Sequence, residues 1–485
     1  MRKRGIVVNV MEKNNLSGKK YDAVVVGTGP NGFAAAITLA KSGHSVLMVE
    51  AKNTIGGGMR SSDLTNSGCI HDVCSAIHPL GIASPFFTSL GLASYGLEWI
   101  NPPVPLAHPL DDGTAILLER SLDTTVKNLG ADGRSYNKLI RPLVKNWDKL
   151  LPDILGPLHF PKHPLALGKF GFMAGQSAGY VIFKNFKTKQ ARALFAGIAA
   201  HSKMPLDKPG SAAFGLLLGA AGHVSGWPIA KGGSQNIAAA LQKCFISLGG
   251  ELQTGIEIHS LDELPKVKVV LLDITQRQLA NIAGTHLTGN YKQKLAQHRY
   301  GPGVFKMDWV LDGPIPWKSA NCLKAATIHI GGTFAEIAGA EDEVWQGQHP
   351  ENPFVILVQP SLFDTMRAPV GKHVVWAYCH VPNGSTFDMS ERIETQIERF
   401  APGFRDRILF RSKMNTMAME ADNPNYIGGD IAGGVRNPFK LFIMPKPYKT
   451  PIKGVYVCSS SMPPGAGVHG MCGYYAAKKA IREMF

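Results

Sequence analysis

The chain has 485 residues, 45% of them apolar and 18% charged, with a formal net charge of +15. That length exceeds what one hydrophobic core fills, and the apolar fraction excludes a disordered chain. No basic run interleaved with aromatics concentrates the charge, so nucleic acid is excluded as a partner, while contact with an anionic membrane surface stays compatible with it. Residues 1–20, carrying Arg2, Lys3, Arg4, Lys13, Lys19 and Lys20, lack the apolar segment of a secretory signal and read as a basic tail. The seven cysteines (69, 74, 244, 322, 379, 458 and 472) show no paired spacing; they read as thiols of a reducing compartment, with no metal site. Two uncharged stretches, 73–97 and 209–230, have membrane-spanning length, but prolines, glycines and histidines interrupt both. The expectation is a cytoplasmic protein, soluble or peripherally attached to a membrane.

Residues 21–62 carry the densest signal. A short apolar run, Ala23–Val26, reads as a parallel strand buried on both faces. Gly27, Gly29 and Gly32 follow it as G-x-G-x-x-G, with Pro30 and Asn31 between the last two. The first glycine permits the tight turn, the second lets backbone approach a pyrophosphate, and the third lets the next helix pack closely on the strand. That helix is placed at 33–41 with Gly43 as its stop, and a second strand at 44–49 leads to Glu50 and Ala51. Glu50 stands 18 residues beyond Gly32, where a carboxylate can accept hydrogen bonds from an adenosine ribose and would repel a 2′-phosphate. The pattern therefore predicts a dinucleotide site of the FAD or NAD kind. A second glycine cluster, Gly56, Gly57 and Gly58, then Met59 and Arg60, suits a long cofactor lying extended past a second close approach of backbone. Asp72 is placed to hydrogen-bond a neighbouring loop.

From 79 to 226 the strand–helix rhythm weakens and prolines cluster, which marks an excursion from the nucleotide-binding unit. Helices are expected at 142–151, with Pro142 at the first position, and at 189–201. The apolar stretches 168–186 and 212–221 read as core, with a minority of residues lining a long apolar pocket or touching a membrane. Nucleotide-unit features return at Gly232-Gly233-Ser234, with Ser234 as N-cap of a helix at 235–247. Strands are expected at 251–258 and 269–272. Residues 305–312 alternate, with Phe305, Met307, Trp309 and Leu311 on one face and Lys306, Asp308 and Asp312 on a face read as solvent-exposed. Further strands at 325–330, 355–358 and 374–381 predict a mixed or antiparallel sheet walling a substrate chamber. Asp388 and Glu391 resemble a capping box for a helix at 389–400.

The C-terminus repeats the strand–turn–helix pattern: a strand at 454–458, the small-residue turn SSSMPPGAGVHG at 459–470, and a helix at 471–484. A helix N-terminus offers N–H groups and a positive dipole end to an electron-rich ligand, as a reduced flavin requires.

GTGPNG, Glu50 with Gly56-Gly57, GGSQN at 232–236 and PPGAGVHGMCG resemble the phytoene desaturase-like branch of the flavin amine oxidase superfamily. GPGVFKMDWVLDGPIPW and CSSSMPPGAGVHGMCGYYAA are most similar to the pyridine nucleotide-disulfide oxidoreductase domain-containing protein 2 group. The resemblance covers nearly the whole chain after residue 20. It implies an α/β fold with a Rossmann-like FAD-binding domain, discontinuous in sequence (21–78, 227–275 and 430–485), and a substrate domain (79–226 and 276–429) of mixed or antiparallel sheet plus helices. It further implies FAD at Gly27, Gly29, Pro30, Asn31, Gly32, Glu50, Ala51 and the Gly57–Arg60 segment. The adenine would meet the backbone of Ile258, and the isoalloxazine would lie by Gly467, Val468, His469, Gly470 and Met471. Many members carry arginine directly after the second glycine pair; here Gly58 holds that place and Arg60 comes two residues later. The function implied is hydride transfer between an apolar substrate, of polyene or isoprenoid type, and flavin N5, with His469 at the ring for proton handling. Two other readings share the fold: a non-catalytic binder of lipidated partners of the GDP-dissociation-inhibitor type, and an amine oxidase.

Overall fold

The computed structural model describes residues 19–157, 160–435 and 447–485. Most of the basic tail, Arg2, Lys3, Arg4 and Lys13 included, lies outside the described residues.

Two sheets organise the molecule. The smaller is parallel and five-stranded, in the order Val455–Val457, Val269–Leu272, Ala23–Val26, Val46–Glu50, Glu251–Thr254. Its central strands are continuous apolar runs because helices cover both faces, leaving no side of the pleat for polar residues. The helix Pro30–Lys41 begins three residues earlier than the 33–41 expected, since Pro30 fits the first helical position and Gly29 serves as N-cap. It packs against the C-terminal helix Met471–Met484 at one point of very close approach. A Cβ added to Gly473 would sit 1.8 Å from the Asn31 carbonyl oxygen, so only glycine lets these helices touch there. Strands from three distant parts of the sequence thus meet in one sheet.

The larger sheet has seven strands, in the order Ile408–Met414, Gly303–Leu311, His373–Val381, Val355–Val358, Ala325–Ile330, Val104–Pro109, Ala115–Leu118. One neighbour pair, Ala325–Ile330 with Val104–Pro109, is parallel and the others antiparallel, so the sheet is mixed. Helices between residues 133 and 224 pack beside it. No helix among the described residues is long and apolar enough to cross a membrane.

Several local expectations change. The strand Gly303–Leu311 is buried along its whole length, so Lys306 and Asp308 do not face solvent. The hairpin Ser61–Ser62/His71–Asp72 covers their face, and Lys306 Nζ pairs with the Asp308 carboxylate beside His71. Buried polar groups of this kind are found paired. Pro142 lies inside the helix Gly133–Lys145, and a separate helix, Trp147–Ile154, follows. The strand at 251 ends at Thr254, and 255–259 leave the sheet as a loop. The helix Ser390–Phe400 has Met389 as N-cap without a capping box; Asp388 Oδ1 instead accepts from the Ser390 backbone. Ser234 does occupy an N-cap, but its hydroxyl donates to Ser75 O rather than capping the helix.

Candidate active site

All five strands of the parallel sheet end, at their carboxyl ends, on one cavity of about 1050 Å³. Gly27–Asn31 leave the first strand, Glu50 and Ala51 end the second, Ile256–His259 follow the third in sequence, Asp273 the fourth, and Ser459 and Ser460 the last. Ligands of open α/β sheets bind at that edge. The volume stands at the top of the roughly 300–1,000 Å³ typical of a ligand site, which suits a ligand as large as a dinucleotide.

The nucleotide wall is held by a short relay. The Thr28 backbone N–H and hydroxyl both donate to Glu50 Oε2, at 2.9 and 2.5 Å. Thr28 Oγ1 in turn accepts the Gly56 N–H at 3.1 Å, which ties both glycine clusters to the end of the second strand. Gly57 and Gly29 face each other so closely that a Cβ on Gly57 would lie 3.1 Å from the Gly29 Cα. The helix Pro30–Lys41 opens on the cavity with no side-chain cap, and the buried Asn31 Oδ1 beside it has no partner. Asp273 takes the Gly32 N–H of that first turn, so it is the bare glycine turn at the positive end of the helix that fits a dinucleotide pyrophosphate. Glu50 Oε1, with the Lys52 N–H at 3.0 Å, keeps a carboxylate at the cavity surface for a ribose.

Of the residues expected to hold the cofactor, Gly27, Gly29, Pro30, Asn31, Glu50, Ala51, Gly57, Gly58, Arg60, Ile258, Gly467, Val468 and His469 line this one cavity. Gly32, Met59, Gly470 and Met471 stand behind its wall. Gly32 lets the helix approach the Gly27 carbonyl, where a Cβ would come within 2.0 Å of the oxygen, and Gly470 packs on Ala34, Phe86 and Phe87. The Met471 N–H is taken by His469 Nδ1 at 3.1 Å, and Met59 is core. GGSQN does not reach the cavity either; it is support. Arg367, fully buried, donates to Asp72 (2.9 Å) and Asp364 (3.0 Å), and those carboxylates accept the Ser234 and Gly232 N–H groups. Asp72 does meet a neighbouring loop, as expected. Arg60 Nε donates to Gly57 O and its Nη2 to Asp422, which spans the wall at 2.5 Å. Gly58, in the usual arginine position, faces Tyr426: a Cβ there would sit 2.4 Å from the phenol oxygen.

Asp273 was not singled out by sequence, although an acid directly after a doubly buried strand is a readable signal. Its Oδ2 accepts the Gly32 N–H at 2.9 Å, directly beneath the glycine turn. Burial raises its pKa to about 7, with the Glu50 charge adding to the rise and the Gly32 bond opposing it. Tyr426 and His201, both at the cavity surface, carried no sequence signal.

His469 lines the cavity and caps the C-terminal helix. Its Nδ1 accepts from Met471, which places the ring proton of the neutral form on Nε2, and its carbonyl accepts the Ser84 hydroxyl at 2.6 Å.

The other walls are apolar. Ile356, Val358, Trp376 and Tyr378 come from the large sheet, Leu167, Phe170 and Ala174 from the helix Pro164–Ala174, and Phe214 and Leu217 from the helix Ala212–Val224. His201 lines the same cavity and meets His329 Nε2 to Nε2 at 2.8 Å. Burial, with His380 adding, lowers His201 to about 3, so the ring is neutral at pH 7. Lys203 is paired with the buried Asp430 carboxylate. Among the described residues no cluster of side chains suits a metal ion.

A family model for an NAD(P)-binding Rossmann-like domain matches residues 25–88. Pyridine nucleotide-disulfide oxidoreductase domain-containing protein 2 of Rattus norvegicus is 22% identical over 96% of this chain and 94% of its own length. The similarity runs over nearly the whole of both chains. The 4,4′-diapolycopene oxygenase of a Methylomonas species is 22% identical over 93% of this chain and 96% of its own. Among solved structures, cyclohexylamine oxidase from Brevibacterium oxydans IH-35A superposes with a TM-score of 0.59 at 14% identity, covering 96% of this chain and 99% of that one. The fold is therefore the one that this oxidase has. At that level the homology supports an oxidoreductase with a flavin or nucleotide cofactor.

Proposed function

We propose that this protein is an FAD-dependent oxidoreductase acting on an apolar substrate of isoprenoid or polyene type. One observation carries the reading: a wall built to hold a dinucleotide and a chamber of aromatic and aliphatic side chains are parts of a single cavity. Bound FAD supplies a site at N5 that accepts or gives a hydride. Gly27–Asn31 and the start of the first helix would hold the pyrophosphate, Glu50 the ribose, Ile258 the adenine, and Gly467–His469 the ring.

The chain's own part is positioning. Phe170, Phe214, Trp376 and Tyr378 orient a hydrocarbon by shape and exclude water, and the neutral His201 adds a polar edge without charge. Met471 holds His469 Nδ1 as an acceptor, so the Nε2 proton is the one His469 can donate. Of the two 22%-identical relatives, one carries oxidoreductase in its name and the other is named a 4,4′-diapolycopene oxygenase, and a hydrocarbon substrate of that kind agrees with the apolar chamber. The test is the visible spectrum of the purified protein and the nucleotide released on denaturation. Flavin absorbance with FAD in the supernatant is expected; a colourless protein that takes up no added FAD would overturn the proposal. Loss of substrate-dependent flavin reduction in His469→Ala is expected; an unchanged rate would remove His469 from the reaction.

A further inference from the structure

The helix Pro164–Ala174 carries apolar residues on both its cavity and its outer side, with Lys169 as its one charged residue. Leu167, Phe170, Gly171 and Ala174 line the cavity, at the i, i+3, i+4, i+7 spacing of one helical face. Leu165 and Phe172 stand on the outside, 83% and 72% exposed, and Phe160 just before the helix is 89% exposed. The next helix, Ala178–Asn185, adds Tyr180 (52%) and Phe183 (57%). Single exposed apolar residues are ordinary, but four aromatic or aliphatic side chains on two consecutive helices, with Phe160 beside them, are a patch. Burying such side chains from water is the driving force for an interface.

Charge decides what covers it. Between Asp153 and Asp207 the sequence contains no Asp or Glu, while Lys162, Lys169, Lys184 and Lys187 are exposed among the apolar residues. Carboxylates reaching this segment from elsewhere are already engaged: Asp132 accepts the Lys187 and Thr188 N–H groups, and Asp112 pairs with Lys189. An apolar face with lysines at its border matches the headgroup and acyl boundary of an anionic bilayer. A second copy of this chain would bring the same lysines against these.

We infer that the Pro164–Ala174 and Ala178–Asn185 helices seat this protein on an anionic lipid bilayer, with Leu165, Phe172 and Phe183 in the acyl region and the lysines at the phosphates. Because one helix forms both the seated face and the cavity wall, the apolar chamber lies one helix-thickness from the lipid. A hydrocarbon substrate can then pass from bilayer to chamber without crossing bulk water. The surface is separate from whatever the nucleotide wall binds, so vesicle binding and flavin absorbance test the two proposals independently.

The experiment is flotation of the full chain with vesicles of phosphatidylcholine alone or mixed with phosphatidylglycerol. Wild type is expected to float with the mixed vesicles about tenfold more than with phosphatidylcholine alone. Leu165→Asp/Phe172→Asp is expected to lose at least about tenfold of that binding while keeping flavin absorbance and melting temperature. A Phe172→Trp variant, which leaves the fold undemanding, is expected to be quenched by brominated acyl chains. No flotation of wild type, equal flotation of the double variant, or no quenching of Phe172→Trp would each overturn the inference. So would a vesicle-free dimer that the double variant converts to monomer, since the patch would then be a protein interface.

Discussion

The two walls of the cavity are built by opposite means. The nucleotide wall uses short contiguous motifs at strand ends, fixed by backbone donors: Thr28 to Glu50, Gly56 to Thr28, Gly32 to Asp273. The chamber wall is assembled from residues 155 to 378, and its members share only apolar character and a position in space. The first wall tolerates almost no side-chain change because backbone itself makes the surface. The second tolerates exchange of volume, because dispersion and burial are non-directional. A cofactor held by rigid backbone beside an adjustable chamber is how one fold serves many substrates.

Substitutions can break that contrast, and the largest effect falls outside both walls. Arg367→Met strands the buried Asp72 and Asp364 carboxylates and should cost about 3–5 kcal/mol in denaturant unfolding, since an unpaired buried charge is left behind. Next comes Asp273. Its folded pKa of about 7 lies above the ordinary 3.8, so between pH 4 and pH 7 the folded chain keeps a proton that the unfolded chain has lost. Stability therefore falls as pH rises through that window and is level above it. Asp273→Asn should gain on wild type across the same interval, by up to about 4 kcal/mol in cofactor-free protein, and a pH-independent difference would refute this. Gly29→Ala places a Cβ 2.5 Å from Asp273 Oδ2 in the turn itself; flavin content, read by absorbance ratio, should fall by about tenfold or more while the fold persists. Phe214→Ala, in the chamber, should leave flavin content unchanged and weaken binding of a hydrocarbon ligand by about 1–3 kcal/mol.

The same contrast governs what could be read from sequence. Strand–glycine–helix–acid is local, so the parallel sheet, the helix Pro30–Lys41 and the C-terminal turn were legible from spacing. The alternation of 305–312 gave a strand but misled about Lys306 and Asp308, because alternation reports polarity and says nothing of a hairpin arriving from residues 61–72 to cover that face. Asp273 could have been found from its place after a buried strand. Tyr426, His201 and Arg367 could not: each acquires its role from neighbours more than a hundred residues away.

The central claim is that flavin and hydrocarbon share one cavity, and the absorbance of the bound flavin reports it. Titration of the FAD-loaded protein with a linear isoprenoid in detergent should perturb the flavin bands and saturate, while putrescine should leave them unchanged. Perturbation by putrescine and none by the isoprenoid would contradict the account and point to an amine oxidase.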